Sequence, residues 1–388
     1  MATEVSRIAV LLPSLDGGGA ERSMLTLVRA FLDRGREVDL LLCKPKGPLM
    51  DEVPGGANVI PLAPGNGLAA RARLAALNPG DLGVLLRPVV LAKKNAPEVA
   101  CIGALAQYLR SRRPHALLSA LTYANLSAIW ARQLSGVPVP LLVSERNAIA
   151  TYCAAPHKAR KWRFRYLPDL VARTYPRADA VVAVSQHVQR ELSDRVGLRH
   201  PRLTTIYNPV VDDSLSAAAA EPLPHPWFAD GAPPVILGVG RFAEQKDFPT
   251  LLRAFAELRA TRPARLVLLG DGKLRGKLGE LAEQLGIGED LWMPGFVRNP
   301  YPYMAGAAAL ALSSRYEGLP GVLIQAMACG CPVLSTDCPG GSAEILAGGE
   351  YGPLVGVGDS PAMASALAEL LDRPVAADLL KRRAGDFS

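Results

Sequence analysis

Short Val/Leu/Ile-rich runs alternating with longer amphipathic stretches recur from Ile8 to Val355, and this alternation limits the fold more than any other feature of the chain. An unbroken apolar run of four to six residues reads as a strand covered on both faces. Such strands belong to parallel sheets, whose connections need crossover helices, so the expected fold class is α/β. In the first half, strands are expected near Ile8, Val38, Leu117, Leu141, Ala180 and Leu203, with helices that include 98–112, 158–173 and 187–196. The pattern lapses once. Between Asn208 and Pro234 the chain carries Pro209, Pro222, Pro224, Pro226, Pro233 and Pro234 around an alanine run, with no strand period, which reads as a linker. It resumes with strands near Val235, Leu266, Leu291, Ala309, Pro332 and Pro353. The expected division is therefore a Rossmann-like domain at 1–207, a linker at 208–234 and a second Rossmann-like domain at 235–388, with the two sheets facing a cleft. In open parallel sheets, ligands settle at the carboxyl ends of strands, so chemistry is sought in the loops that follow them.

The 388 residues suffice for two or three domains with cores of their own. With 49% hydrophobic and 20% charged residues the chain is not disordered, and the 36 Gly and 33 Pro follow no collagen-like period. The net charge of +7 admits phosphate-rich partners without selecting one. Of the six cysteines, Cys329, Cys331 and Cys338 crowd together without a Cys-x-x-Cys pair or nearby His, which reads as small buried residues rather than a zinc site. The start of the chain, Met1 to Leu12, lacks a signal-peptide pattern, and no apolar run approaches the ~20 residues of a membrane-crossing helix. A cytoplasmic protein is expected.

Three post-strand loops carry candidate chemistry. Ser14 to Arg22 holds Gly17, Gly18 and Gly19 before a helix, where free N–H groups attract anions; a plain helix cap explains it equally well. It matches neither Gly-x-Gly-x-x-Gly nor a Walker loop. The loop from Gly238 to Asp247 presents Arg241 and Lys246, a fork and a point charge suited to a diphosphate, although surface cations are commonly just solvated. The third, Ser314 to Gly330, places Glu317 after an Ala/Leu strand, with Pro320 in the first turn of a helix and Gln325 leaning back towards its start. Glu317 alone reads equally as a cap or a partner of the helix dipole.

In this order, on this scaffold, the loops resemble glycosyltransferase family 4, retaining enzymes of the GT-B fold that use nucleotide-sugars. The likeness extends over Gly17 to Arg22, Ser144-Glu145-Arg146-Asn147, Val184-Ser185, Tyr207-Asn208-Pro209, Gly240-Arg241 with Gln245-Lys246, Gly270-Asp271-Gly272, Gly295-Phe296 and Glu317 to Gly330. It implies that Arg241 and Lys246 bind the donor diphosphate and that Glu317, the first acid of a Glu-x7-Glu motif, contacts the donor sugar. Donor-binding residues by the same resemblance are Gly18, Gly19, Phe296, Val297, Gly318, Leu319, Pro320, Gly321 and Gln325. The second acid of the motif, which holds ribose hydroxyls in the family, is Gln325 here, a departure that bears on donor affinity. Metal-independent catalysis is implied, since the cations stand in for a metal and no Asp-x-Asp occurs; no cofactor beyond the donor substrate is implied. Relatives also carry a first-domain His near the reacting sugar. His115 reads as surface, Thr122, Tyr123 and Asn125 fill the post-strand position, and Asn125, Glu145, Arg146 and Asn147 are the acceptor-side candidates. Relatives continue past residues like Arg383 to Ser388 into a returning helix, so looser interdomain packing or a truncated chain is expected.

The resemblance implies an acceptor such as a lipid-linked or polysaccharide precursor. Two basic, apolar stretches suit an anionic membrane surface at its inner face: residues 157–177, with Trp162, Tyr166 and Leu170 on one side of a helix that Pro168 should kink or break, and 71–94, with Leu85, Leu86, Val89 and Val90 around Arg87 and before Lys93. Core-facing helices with solvated arginines explain them as well. Two other readings remain: a nucleotide-sugar hydrolase or epimerase on this scaffold, and a basic nucleic-acid-binding protein, for which no module is recognisable.

Overall fold

The computed structural model describes residues 6–92, 96–212 and 214–388; Lys93, named above, lies outside them, as do Met1 to Val5. The chain divides after Tyr207 into two compact units, Met1–Tyr207 and Asn208–Ser388.

The first unit holds a parallel sheet of β1 (Arg7–Leu12), β2 (Glu37–Leu42), β3 (Asn58–Pro61), β4 (Ala116–Ala120), β5 (Leu141–Glu145), β6 (Ala180–Ala183) and β7 (Leu203–Thr205), in the order β3-β2-β1-β4-β5-β6-β7. The winding direction reverses between β1 and β4, the switch point of a doubly wound sheet. Helix Gly19–Asp33 buries Met24, Leu25 and Val28 against the sheet residues Val10, Leu12, Leu40 and Leu42. Each such side chain stabilises by roughly 1.5–3 kcal/mol, which fixes the first helix over β1 and β2.

The second unit holds β8 (Val235–Val239), β9 (Arg265–Leu269), β10 (Leu291–Gly295), β11 (Ala309–Leu312), β12 (Val333–Thr336) and β13 (Leu354–Val355), in the order β10-β9-β8-β11-β12-β13, again parallel. Its switch point lies between β8 and β11. Phe248–Thr261 lays Leu251, Leu252, Phe255 and Leu258 on the sheet, and Phe242 meets Phe248 edge to face at 5.3 Å. Gly270 has φ +140° and its missing Cβ would lie 2.0 Å from the Gly240 carbonyl, so only glycine lets the loops after β8 and β9 touch.

Several details differ from expectation. The edge strand β3 was not foreseen, because Asn-Val-Ile-Pro is short and ends in a residue that cannot donate to a ladder. The stretch 158–173 is not one helix but Pro156–Ala159, Trp162–Arg165 and Leu167–Thr174, broken at Arg160 and Lys161 and again at Tyr166, two residues ahead of Pro168. Proline has no N–H to continue the ladder and begins the last helix instead. No single apolar stripe therefore exists: Trp162 is exposed, Tyr166 half-buried and Leu170 fully buried. Residues 98–112 likewise break at Cys101 into Pro97–Ala100 and Ile102–Arg112, and 187–196 divides into Gln186–Arg190 and a wider-wound Glu191–Arg195. Pro320 precedes the helix Gly321–Ala328 rather than lying in its first turn.

The Pro-rich stretch packs on the second unit. His225 stacks on Trp292 with centroids 3.9 Å apart, Asn299 Nδ2 donates to the Ala218 carbonyl at 2.8 Å, and Val210 N donates to the Phe387 carbonyl at 2.9 Å. The last helix, Ala377–Gly385, is held to the same unit by Arg383 Nε on the Ile345 carbonyl at 2.9 Å.

Candidate active site

In the second unit, the loops leaving β8 and β11 flank the switch point and are laced together. Gln245 Nε2 donates to the Tyr316 carbonyl at 2.9 Å, and Arg315 N donates to the Gln245 carbonyl at 2.8 Å. Asp247, at φ +44°, accepts from Thr250 Oγ1 at 3.0 Å and pairs with Arg315 Nη2 at 3.1 Å. This lacing brings Lys246 Nζ within 2.7 Å of Glu317 Oε1, which also accepts from Ser314 Oγ at 2.5 Å. The carboxylate is buried and its second oxygen meets no donor among the described residues. The Glu317 loop is in turn clamped by the loop after β12. Glu317 N donates to the Pro339 carbonyl at 2.8 Å, Gly341 N donates to the Gly318 carbonyl at 2.9 Å, and a Cβ on Gly340 would stand 2.5 Å from the Glu317 carbonyl.

The structure thus joins Lys246 and Glu317 directly. Arg241 lies in the same β8 loop, exposed and without a carboxylate partner among the described residues. Gly318, Leu319 and Pro320 are buried in the loop, and Gly321 opens the next helix. Gln325, half-buried one turn on, donates through Nε2 to Tyr301 Oη at 3.4 Å. Phe296 is 44% exposed in the loop after β10, with Val297 half-buried beside it.

The remaining candidates belong to the first unit. Gly18 is the extended residue before helix Gly19–Asp33, and a Cβ there would meet Glu21 Oε2 at 2.4 Å. The chain's own carboxylate thus lies against the anion-attracting helix start. At the ends of β4 and β5, Glu145 is wholly buried and accepts from Thr122 Oγ1 at 3.1 and 3.0 Å, from Tyr175 Oη at 2.8 Å and from Arg146 N at 3.1 Å. Burial pushes its carboxyl up to about 7 despite these donors. Asn125 Nδ2 ties the same network to the Ser144 carbonyl at 2.8 Å and Tyr175 Oη at 3.0 Å. Burial lowers the Arg146 guanidinium to about 10, and its Nη2 meets Met24 Sδ at 2.7 Å; Asn147 is half-buried next to it. His115 is exposed and accepts from Arg7 N at 3.1 Å.

Sequence reasoning gave no role to Ser314, Tyr175 or Tyr301. Ser314 had a signal in its three-residue spacing before Glu317; the other two had none, because Tyr175 reaches Glu145 from thirty residues away, past four short helices, and Tyr301 meets Gln325 from another helix. The cysteine cluster carries no disulfide: Cys331 and Cys338 are buried, and Cys329 is partly so. Among the described residues no three His, Cys, Asp or Glu side chains converge as metal ligands.

Comparison with known proteins agrees with this architecture. The family model described as glycosyl transferase 4-like domain matches residues 18–209, and that described as glycosyl transferases group 1 matches 233–373. A Campylobacter jejuni N-acetylgalactosaminyltransferase acting on a diphospho-undecaprenol-linked sugar is 32% identical over 52% of this chain and 53% of its own. A lipopolysaccharide core biosynthesis glycosyltransferase of Rhizobium meliloti is 35% identical over 36% of this chain and 39% of its own. In these two the chain spans about half of the relative's length or less. Among solved structures, Anabaena HepE in complex with UDP and glucose covers 99% of this chain and 95% of its own at TM-score 0.70 and 18% identity, a likeness of fold. The lipopolysaccharide galactosyltransferase WaaB covers 98% and 95% at TM-score 0.67 and 20% identity.

Two doubly wound parallel-sheet units of this kind define the GT-B fold class. Within that class, the chain belongs to glycosyltransferase family 4.

Proposed function

We propose that this protein is a retaining glycosyltransferase that moves a sugar from a nucleotide-diphospho-sugar to a lipid-linked or polysaccharide precursor without a metal. The observation that carries this reading is the Lys246–Glu317 pair at the switch point of the second sheet, 2.7 Å apart, with Arg241 exposed in the same loop. Fixed cations beside a departing nucleoside diphosphate stabilise the charge that develops as the bond from the sugar's anomeric carbon to phosphate oxygen breaks. The acceptor hydroxyl forms the new bond on the same face and its proton passes to the diphosphate. The open oxygen of Glu317 suits a hydroxyl of the transferred sugar. The donor is the substrate, and no cofactor is needed.

An acceptor carried on lipid suits a cytoplasmic enzyme held at the inner face of the membrane. No helix among the described residues is long and apolar enough to cross a membrane. In the first unit, segments 86–90 and 162–165 pack together and leave Leu86, Leu91 and Trp162 exposed at 42%, 54% and 57%. Arg87 lies over the Tyr166 ring at 4.8 Å and Arg163 over the Tyr123 ring at 4.9 Å, with Arg160, Lys161 and Arg165 exposed nearby in sequence. Apolar side chains among cations match an anionic lipid surface, each cation contributing about 1 kcal/mol there. Binding to phosphatidylglycerol vesicles that fades with salt is expected in a flotation assay, and equal binding to phosphatidylcholine vesicles would contradict it.

The function is tested by thermal-shift screening against UDP- and GDP-sugars, followed by turnover with an undecaprenyl-diphosphate-linked sugar, with and without EDTA. A donor should raise the melting temperature by mass action, and turnover should survive the chelator. No stabilisation by any donor would sink the reading; turnover lost to EDTA would sink its metal-independent part. Release of free sugar without an acceptor would favour the hydrolase.

A further inference from the structure

Two adjacent buried serines each hold one half of the Lys246–Glu317 pair. Ser313 and Ser314 directly continue β11, and along a strand direction consecutive side chains point to opposite sides, so neighbours in sequence can serve different groups. Ser313 Oγ donates to the Lys246 carbonyl at 2.8 Å, and Ser314 Oγ donates to Glu317 Oε1 at 2.5 Å. Carbonyls and carboxylates only accept, so each hydroxyl spends its one proton on the partner named. Ser314 is wholly buried and anchored from the strands on both sides. From β12, Thr336 Oγ1 donates to the Ser314 carbonyl at 2.6 Å, and in the loop after β8 the Gln245 carbonyl accepts from the next backbone N, that of Arg315, at 2.8 Å.

This arrangement makes the two oxygens of Glu317 unlike. Each carboxylate oxygen has about two lone-pair sites. On Oε1 both are taken, by Lys246 Nζ at 2.7 Å and by Ser314 Oγ. Oε2 meets no donor among the described residues, yet it is not sealed in the interior, and the side chain keeps 9% of its exposure. An ammonium on a flexible stem leaves a carboxylate free to turn about the contact. A second donor, fixed by its own strand, sets the orientation, and Oε2 is then the oxygen offered to a ligand.

We propose that Ser314 is a positioning residue that commits Glu317 Oε1 to the protein and so aims Oε2 at a hydroxyl of the transferred sugar. This rests on the nucleotide-sugar reading above. Ser314 does not touch the reacting atoms; it acts through Glu317, and its effect belongs to the sugar part of the donor and not to the diphosphate. Ser313, equally buried but bonded to the Lys246 backbone, is the matched control.

The experiment measures binding of UDP, GDP, UDP-glucose, UDP-N-acetylglucosamine and GDP-mannose to the wild type by calorimetry. The tightest-binding sugar nucleotide and its parent diphosphate are then carried to the variants. Ser314→Ala should weaken binding of the sugar nucleotide about 5- to 10-fold, the effect of one hydrogen bond, and leave the diphosphate within about twofold. Ser313→Ala should leave the ratio of the two affinities within about twofold of wild type, since it releases no group that faces the sugar. In a Glu317→Gln background, Ser314→Ala should shift that ratio less than about twofold, because a residue acting through Glu317 has nothing left to orient. Ser314→Cys keeps the size of the side chain with a weak donor and should follow Ser314→Ala. Melting curves matching wild type check that the variants are folded.

Equal losses for the diphosphate and the sugar nucleotide in Ser314→Ala would show a merely structural role and overturn the inference. An unchanged ratio, the full shift persisting in the Glu317→Gln background, or failure of both Ser314 variants to fold would overturn it as well. In each of these cases the nucleotide-sugar reading would stand. Failure of the wild type to bind any of the five nucleotides would overturn that reading and this inference together.

Discussion

Lys246→Met should lower turnover about 100- to 1,000-fold, the loss typical of removing one preorganised group that stabilises charge in a transition state. The ammonium is 2.7 Å from Glu317 Oε1, and its stem lies so close to Gly240 that a Cβ there would stand 2.9 Å from Lys246 Cε. That packing admits a slim chain ending in a point charge. Lys246→Arg is therefore expected to recover little, since a planar fork needs more room and a different approach to the carboxylate. Arg241→Met should cost less, because Arg241 is exposed and its charge is screened by solvent. The substitution at Lys246 also leaves the buried Glu317 carboxylate without its cation, which destabilises the loop on its own account. The double variant Lys246→Met with Glu317→Gln isolates the stability effect, because it removes the stranded charge, although it also removes the carboxylate placed at the donor sugar. Thermal stability should recover in the double variant while turnover does not. Steady-state turnover of Lys246→Met within about threefold of wild type would remove Lys246 from the chemistry.

The parts of this site that were legible in the sequence are those whose chemistry is local. Glycines after strands, a cation pair five residues apart and an acid before an apolar helix each leave a mark within one loop, and those marks put Lys246 and Glu317 in post-strand loops; that β8 and β11 are neighbours is a tertiary fact. Right-handed crossovers fix the hand of each connection, but the alternation does not set the order of the strands, and the reversals beside β1 and β8 come from the structure. What the sequence did not disclose depends on tertiary meeting. Tyr301 and Gln325 are on different helices, and Tyr175 reaches Glu145 from a short turn, so no periodicity links them. The clamp of Pro339 to Gly341 on the Glu317 loop is also non-local, with Gly340 allowing the close backbone approach. The expected basic helix at 158–173 is interrupted twice: the break at Tyr166 is the one expected from Pro168, while that at Arg160 and Lys161 had no signal in the sequence.

Glu145 gives the second large effect, and it lies in stability as a function of pH. Its folded carboxyl is pushed up to about 7, from an ordinary value of 4.5, chiefly by complete burial; hydrogen bonds from Tyr175, Thr122 and the Arg146 and Asn147 backbone act in the opposite direction. The charged groups that bear on this network are Arg146, lowered by burial to about 10, and Glu21, which acts on Arg146; Tyr175 is held well above its usual range. Between pH 4.5 and 7 the folded first unit keeps a proton that the unfolded chain has released. The contribution of Glu145 to stability is therefore fully present below about pH 4.5, falls as pH rises through about 7, and is flat above. A displacement of this size corresponds to about 3 kcal/mol. Glu145→Gln keeps the shape and removes the ionisation, so its stability should lack this slope. Because the chain has two units, a global melt would mix their transitions. Hydrogen exchange of the β5 amides, followed by mass spectrometry at pH 5 and pH 8 after correction for intrinsic rates, reports the first unit alone. Wild-type protection should drop by about two orders of magnitude more than that of Glu145→Gln across this interval. Parallel slopes in the two proteins would mean that the carboxylate is charged and satisfied in the fold at every pH tested. The Thr122 and Tyr175 hydroxyls would then outweigh burial, and the loop of Arg146 and Asn147 would rest on a permanent anion rather than on a carboxylic acid that ionises near neutrality.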